Sequence, residues 1–152
     1  MFNIVLVNPQ IPPNTGNIGR LCVNTGSTLH LVKPLGFDIS DKAVKRAGLD
    51  YWHKLNLKVW ESLEEFVANV EFDRCYFATT KACKNYFNVK FRPGDFLIFG
   101  SETKGLPMDL MQKRWEHAIK IPMSKEGRSL NLAVSVGIIL YEAIRQNFGV
   151  FV

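Results

Sequence analysis

The chain has 152 residues, of which 47% are hydrophobic, and this content suffices for the core of one compact domain spanning residues 1–152. Its net charge of +5 and pI near 9.2 favour a polyanionic partner such as nucleic acid, although the cations are dispersed. The sequence lacks an 18-residue uncharged apolar stretch, a signal-peptide pattern and metal-ligand spacing of cysteines and histidines, so we expect a cytoplasmic protein with reduced thiols and neither a membrane span nor a metal site.

The first third of the sequence predicts two strands joined by a loop and a helix. The apolar, β-branched run at residues 2–7 is typical of a buried strand. Three prolines and Asn14-Thr15-Gly16 predict a rigid loop, with Asn14 suited to an Asx turn, and a short helix follows from about Asn17. This helix is expected to end at Asn24-Thr25-Gly26, before a second strand at residues 28–32. The order indicates a βαβ unit and a parallel sheet.

Helices and strands continue to alternate along the rest of the chain. The segment 79–95 is basic and aromatic and shows no clear periodicity. The pattern predicts a single α/β domain with five or six strands. Further helices are expected at residues 41–47, 62–70 and 107–114, and further strands at residues 57–60, 74–79, 95–100 and 118–121.

A polar, glycine-containing loop meets an apolar helix within residues 121–146. Asn131 is the candidate N-cap of that helix. The first amide groups of a helix lack intrahelical partners, so a loop placed there is suited to binding a ligand. Residues 132–143 are almost wholly apolar, which predicts burial in this core or against another subunit. The alternative is an ordinary core helix preceded by a surface loop.

Four loops follow apolar strands, and ligands of open parallel sheets bind at the carboxyl ends of the strands. Three of the loops contain glycine, which permits a close approach of the backbone to a ligand. Neither a dinucleotide-binding fingerprint nor a P-loop is present. The four loops lie at residues 8–20, 78–82, 100–107 and 121–131.

Three motifs in these loops resemble, in order and spacing, the SPOUT class of RNA methyltransferases. The resemblance covers the whole chain. The chain is similar to the smallest branch of this class, the tRNA (cytidine/uridine-34)-2'-O-methyltransferases. That branch often has serine and asparagine where this chain has Ala133 and Val134. The motifs are Pro9-x-x-x-x-Asn14-x-Gly16-Asn17-x-x-Arg20, then residues 97–107, then residues 121–123 with 128–132 and 141–143; residues 46–51 also match the branch.

The resemblance implies a mostly parallel sheet with helices on both faces and a deep trefoil knot in the C-terminal segment. It also implies that the protein is a homodimer that uses S-adenosylmethionine to methylate the ribose 2'-hydroxyl of the wobble nucleotide, position 34, of tRNA. Three alternatives remain open at this point. They are a non-catalytic RNA-binding module of the same fold, a 2'-O-methyltransferase acting on another tRNA or rRNA position, and a nucleotide-binding α/β enzyme of another chemistry.

The resemblance further implies roles for individual residues. Arg20 and Asn14 are the candidate catalytic residues; an arginine holds its proton, so Arg20 is expected to orient the ribose or a phosphate rather than act as a base. The candidate RNA-binding residues are Lys81, Lys104, Arg128 and Tyr141, for which solvated charges and a core tyrosine are the alternatives. The candidate cofactor-binding residues are Ala78, Thr79, Gly100, Glu102, Gly105, Ile121, Met123, Ser129, Leu130 and Asn131.

Overall fold

A computed structural model describes residues 1–151 as a parallel sheet with helices on both faces. The strands are β1 (Asn3–Val7), β2 (Thr28–Val32), β3 (Asn56–Trp60), β4 (Cys75–Ala78), β5 (Lys84–Asn85), β6 (Phe96–Phe99) and β7 (Ala118–Lys120). The α-helices are α1 (Pro12–Thr25), α2 (Asp41–Arg46), α3 (Leu63–Ala68), α4 (Met108–Gln112), α5 (Leu132–Gln146) and α6 (Phe148–Phe151). The strand order is β3-β2-β1-β6-β4-β7-β5, and every ladder between these strands is parallel. The predicted α/β class and parallel sheet are confirmed.

Alternate side chains of the central strands enter two separate hydrophobic layers, because successive residues of a strand point to opposite faces. Ile4 and Leu6 of β1 pack in the layer that contains α1 and α5. Val5 and Val7 pack in the opposite layer, which contains α3 and α4. Because both faces of the sheet are covered, the central strands β1 and β6 are apolar along most of their length, as the sequence showed.

The first helix begins earlier than predicted. It starts at Pro12 rather than near Asn17, so the expected rigid loop is already the first turn of α1. Proline is tolerated at the first positions of a helix because their amide groups have no intrahelical acceptor. Asn14 is therefore helical, and the predicted Asx turn is wrong. The predicted end is confirmed, since Gly26 caps α1 with a left-handed φ of 65°.

The remaining elements differ from the prediction mainly at their ends. The three predicted internal helices are present as α2, α3 and α4, each shorter than expected. The sheet has seven strands among the described residues rather than five or six. The additional strand, β5, has only two residues. It is a strand because it pairs with β7, since the irregular segment 79–95 contains no local strand pattern.

The long C-terminal helix buries one face only. Asn131 caps it as predicted, because its side-chain oxygen accepts from the amide of Val134 at 3.2 Å. One face lies in the core against α1 and the sheet. On the other face, Val134 is 51% exposed and Tyr141 is 49% exposed, so the apolar helix is not covered all round within one chain. No helix among residues 1–151 combines the length and hydropathy needed to cross a membrane.

Candidate functional site

A cavity of about 540 Å³ lies at the carboxyl ends of β4, β6 and β7. These strands are neighbours in the sheet, so the loops that follow them meet at one edge although they are distant in the sequence. The first turn of α1 and the first two turns of α5 complete the wall. All ten candidate cofactor-binding residues line this cavity: Ala78, Thr79, Gly100, Glu102, Gly105, Ile121, Met123, Ser129, Leu130 and Asn131.

The loop after β6 folds back tightly on itself at this cavity. The amide of Gly105 donates to the carbonyl oxygen of Ser101 at 3.1 Å, and Gly105 has a φ of 68°. A Cβ atom on Gly100 would lie 2.1 Å from the carbonyl carbon of Gly105, a distance that no side chain can occupy. Glycine at position 100 therefore allows the backbone of this loop to form the cavity wall.

The Glu102 carboxylate ties two walls of the cavity together. One oxygen accepts from the amide of Gln10 at 2.8 Å, and the other accepts from the amide of Ile11 at 2.9 Å and from Nδ2 of Asn14 at 3.2 Å. Burial raises the pKa of Glu102, but these hydrogen bonds outweigh it, so the net pKa lies below the ordinary value of 4.5. Glu102 is therefore ionised at neutral pH and holds the loop after β1 against the loop after β6.

The charge of Glu102 sets the direction of hydrogen bonds as far as α5. A carboxylate only accepts, so Asn14 presents its amide nitrogen to Glu102 and its oxygen to Nδ2 of Asn131 at 3.1 Å. Asn131 is left with its oxygen to cap α5, and an N-cap contributes about 1 kcal/mol. We call this series the Glu102–Asn14–Asn131 chain. It joins the β6 loop, α1 and α5 along one side of the cavity.

The structure separates the two candidate catalytic residues. Asn14 lines the cavity, whereas Arg20 does not. Six helical residues turn the two side chains about 120° apart on α1, so they point in different directions. Arg20 is exposed, and its Cζ atom lies 5.0 Å from the centre of the Tyr51 ring. Within residues 1–151 Arg20 forms no ion pair, so its guanidinium is accessible to an anion.

The candidate RNA-binding residues occupy three places. Lys81 and Lys104 line the cavity and are exposed to solvent. Arg128 is exposed in the loop that precedes α5. Tyr141 lies on the outer face of α5, and its 49% exposure shows that the alternative of a core tyrosine is wrong within one chain.

Several cavity residues escaped the sequence analysis. Leu106 lies within the second motif but was not among the candidate cofactor-binding residues, and it also lines the cavity. Ser135 and Ile139 lie one and two turns after Asn131 on α5 and also line the cavity. Their i+4 and i+8 spacing from the N-cap is the signal that would have identified them. Among residues 1–151, no group of three or more histidine, cysteine or carboxylate side chains is placed to hold a metal ion.

Comparison with known proteins gives one consistent family. Residues 1–141 match the SpoU rRNA Methylase family. The chain is 50% identical to the tRNA (cytidine(34)-2'-O)-methyltransferase of Methylovorus glucosotrophus (strain SIP3-4), over 97% of this chain and 96% of that protein. A solved structure described as giving structural insights into the 2-OH methylation of C/U34 on tRNA superposes with a TM-score of 0.89 and 41% identity, covering 98% and 97% of the two chains. The SpoU methyltransferase AviRb from Streptomyces viridochromogenes, in complex with the cofactor AdoMet, superposes with a TM-score of 0.81 and 25% identity, covering 96% and 57%.

Proposed function

Because this chain belongs to the SpoU rRNA methylase family, we propose that it transfers a methyl group from S-adenosylmethionine to the ribose 2'-hydroxyl of nucleotide 34 in tRNA. We further propose that residues 1–152 form one methyltransferase domain. The observation that carries the proposal is the cavity in which all ten candidate cofactor-binding residues meet. Relatives aligned over nearly the full length of the chain, and named for this reaction, supply the substrate.

The cavity suits S-adenosylmethionine in volume and in lining. Its volume of about 540 Å³ lies within the range of roughly 300–1,000 Å³ that is usual for small-molecule sites. Apolar side chains such as Leu106, Ile119 and Ile139 suit an adenine ring, and polar ones such as Thr79 and Ser129 suit ribose hydroxyls and an amino-acid group. When bound, S-adenosylmethionine supplies an electrophilic methyl group on a sulfonium centre.

The proposed role of Glu102 and Asn14 is to hold the site in shape. The Glu102 carboxylate already accepts three hydrogen bonds from Gln10, Ile11 and Asn14. Asn14 in turn is engaged by both Glu102 and Asn131. Groups satisfied in this way keep the walls in place before the ligand arrives, and such preorganisation lowers the entropic cost of binding.

Arg20 is proposed to hold the RNA close to the reacting ribose. Its guanidinium is exposed and can donate charge-assisted, two-pronged hydrogen bonds to phosphate or ribose oxygens. It cannot act as the base, because arginine keeps its proton in proteins. Lys81, Lys104 and Arg128 place further positive charge at or near the cavity, which favours a polyanionic substrate.

We propose a homodimer for two structural reasons. Arg20 lies away from the cavity of its own chain, and the outer face of α5 exposes Val134 and Tyr141. A second copy that covers this face would bury apolar surface and extend the area available to RNA. Sedimentation of the wild type is expected to give a dimer at micromolar concentration. Val134→Glu is expected to shift it towards monomer, and a wild type that sediments as a stable monomer would contradict the proposal.

A deep trefoil knot in the C-terminal segment is also proposed. β7 lies between β4 and β5, yet the chain that follows it returns to α1. Near the end of α5, Gln146 accepts from the amide of Phe91 at 2.8 Å and donates to the carbonyl of Val89 at 3.0 Å. These contacts support the proposal, because they join α5 to segments far apart in the sequence. A crystal structure that traces residues 75–146 without a break tests the path, and an unthreaded chain would contradict it.

The reaction is tested with purified protein, tRNA that lacks the modification, and S-adenosylmethionine carrying a labelled methyl group. Nucleoside mass spectrometry of digested tRNA is expected to show 2'-O-methylcytidine or 2'-O-methyluridine from position 34. A matched tRNA with a 2'-deoxynucleotide at position 34 should accept no methyl group. Label on a base, at another position or on rRNA instead would refute the proposed substrate. Calorimetry that detects no binding of S-adenosylmethionine would favour the non-catalytic RNA-binding alternative.

A further inference from the structure

One face of α1 is shaped to receive the segment 49–52. Gly16 and Gly19 lie three residues apart and therefore share a face of the helix. A Cβ atom on Gly19 would lie 2.9 Å from a ring carbon of Trp52, and one on Gly16 would lie 3.6 Å from both Leu49 and the Tyr51 hydroxyl oxygen. Gly19 thus lets Trp52 lie directly against the helix backbone, and Leu49 and Tyr51 pack beside it at ordinary contact distance from Gly16.

This packing places Tyr51 beneath Arg20. The Tyr51 hydroxyl donates to the carbonyl oxygen of Gly16, one helical turn before Arg20. The Arg20 guanidinium carbon lies 5.0 Å from the centre of the Tyr51 ring, within the range in which a cation is attracted to an aromatic face. The ring is therefore fixed to the same helix that carries the arginine.

The protonation state of Tyr51 supports a lasting contact. Burial raises the pKa of Tyr51, and the nearby Arg20 charge only partly opposes this effect. The residue is thus a neutral phenol around neutral pH, so its hydroxyl keeps donating to Gly16 and its ring stays in place. Arg20 itself has no ion pair within residues 1–151 that would fix its long side chain by another route.

We propose that Tyr51 is a positioning residue for Arg20, holding the guanidinium in the orientation that meets the RNA. This inference rests on the proposed function of Arg20. Tyr51 has no assigned contact with either substrate and acts through the arginine. A positioned guanidinium loses less conformational freedom when it binds, so removing the ring should slow methyl transfer without weakening cofactor binding.

A double-mutant cycle measured by single-turnover methyl transfer, at saturating S-adenosylmethionine and tRNA, tests the proposal. Tyr51→Leu, which removes the aromatic face, is expected to slow transfer about fivefold, whereas Tyr51→Phe, which keeps the ring but loses the hydrogen bond to Gly16, should slow transfer less than Tyr51→Leu does. In an Arg20→Ala background, Tyr51→Leu should cause no further loss. Phe87→Leu, at an exposed aromatic outside the site, is the matched control and should behave as wild type. Equal S-adenosylmethionine affinity in all variants is also expected.

Additive losses in the cycle would overturn the proposal, because they would show that Tyr51 acts independently of Arg20. NMR order parameters of the Arg20 Nε–H group provide a second test, which does not depend on methyl transfer. They should fall further in Tyr51→Leu than in Tyr51→Phe; an unchanged value in Tyr51→Leu would also overturn the proposal. A wild type that does not methylate tRNA would refute the proposed function instead. The NMR order parameters would still decide whether Tyr51 orders Arg20.

Discussion

Glu102→Gln tests whether the carboxylate holds the walls of the cavity together. The substitution keeps the size of the side chain but replaces one accepting oxygen with a donating NH2 group. If the remaining oxygen faces Ile11 and Asn14, the NH2 group meets the amide of Gln10, which is also a donor. The opposite rotamer creates two such conflicts. The Asn14 amide cannot turn over to relieve these conflicts, because its oxygen would then no longer accept the hydrogen bond from Nδ2 of Asn131.

The cost of Glu102→Gln follows from these contacts. At least one hydrogen bond to a charged group is lost, which is worth about 1.5–3 kcal/mol, and a backbone donor is left facing another donor. Because the carboxylate is only partly buried, we expect a loss of about 2 kcal/mol in the free energy of unfolding. For a chain of this length that corresponds to a fall in Tm of roughly 4–8 °C. Affinity for S-adenosylmethionine should also fall, because the two loops of the wall are no longer tied.

Thermal and urea unfolding and calorimetry with S-adenosylmethionine measure both effects. Glu71→Gln, at an exposed carboxylate outside the cavity, is the matched control. The pH dependence supplies a second check. The folded-state pKa of Glu102 lies below 4.5, so its contribution is present above the unfolded pKa and is lost as pH falls through the folded pKa. The difference between wild type and Glu102→Gln should therefore shrink in acid. If Glu102→Gln is as stable as Glu71→Gln and binds S-adenosylmethionine normally, the reasoning is refuted.

Three other substitutions test the arginine proposed to hold RNA, a buried histidine and the tight loop after β6. Arg20→Ala should leave stability and S-adenosylmethionine affinity nearly unchanged but slow single-turnover methyl transfer at least tenfold, which is a loss of about 1.4 kcal/mol of transition-state stabilisation. Arg20→Lys should restore little of the rate, because an ammonium group lacks the planar, two-pronged geometry of a guanidinium. A normal rate for Arg20→Ala would contradict the proposed role of Arg20. Burial, aided by the charge of Lys58, lowers the pKa of His30 from 6.5 to about 4. The stability that the neutral imidazole contributes is therefore present above pH 6.5 and is lost as pH falls through about 4. The total loss in the free energy of unfolding is about 3 kcal/mol. Urea unfolding across this range checks it, and His30→Gln should flatten the profile; a profile unchanged by His30→Gln would rule out this source. Gly100→Ala should abolish detectable S-adenosylmethionine binding by calorimetry, since its Cβ would collide with the Gly105 backbone, and tight binding by this variant would show that the loop can relax.

Local patterns in the sequence were sufficient to predict most elements and the loops of the site. Apolar runs bounded by proline, asparagine or glycine predicted the longer strands, because such runs suit strands buried on both faces. Proline cannot donate to the ladder, and asparagine and glycine are disfavoured in strands. Asn131 was identified as an N-cap from its position before an apolar run, and its hydrogen bond to Val134 confirms this. The motif residues were located by their resemblance to known methyltransferases rather than by periodicity.

The start of α1 and the two-residue strand β5 show where local rules fail. Prolines at residues 12 and 13 are typical of a loop, yet they also fit the first turn of a helix, and only the packing of α1 on the sheet decides between these conformations. β5 exists because β7 lies beside it, and nothing within its own two residues specifies a strand. Similarly, the composition of α5 predicts burial on all sides, whereas the sheet and α1 can cover only one of its faces.

The sequence by itself determined the alternation of strands and helices, the identity of the loop residues and the caps, because these depend on neighbours within a turn or two. The tertiary structure alone decided which of those residues meet. β6 lies between β1 and β4, and this strand order brings Glu102 to Gln10 and Ile11, and α5 to Asn14. The helical turn of α1 directs Arg20 away from the cavity, and the packing of residues 49–52 on α1 sets it against Tyr51. Such contacts join positions far apart in the chain, and they follow from the order of strands in the sheet, which no local spacing of residues encodes.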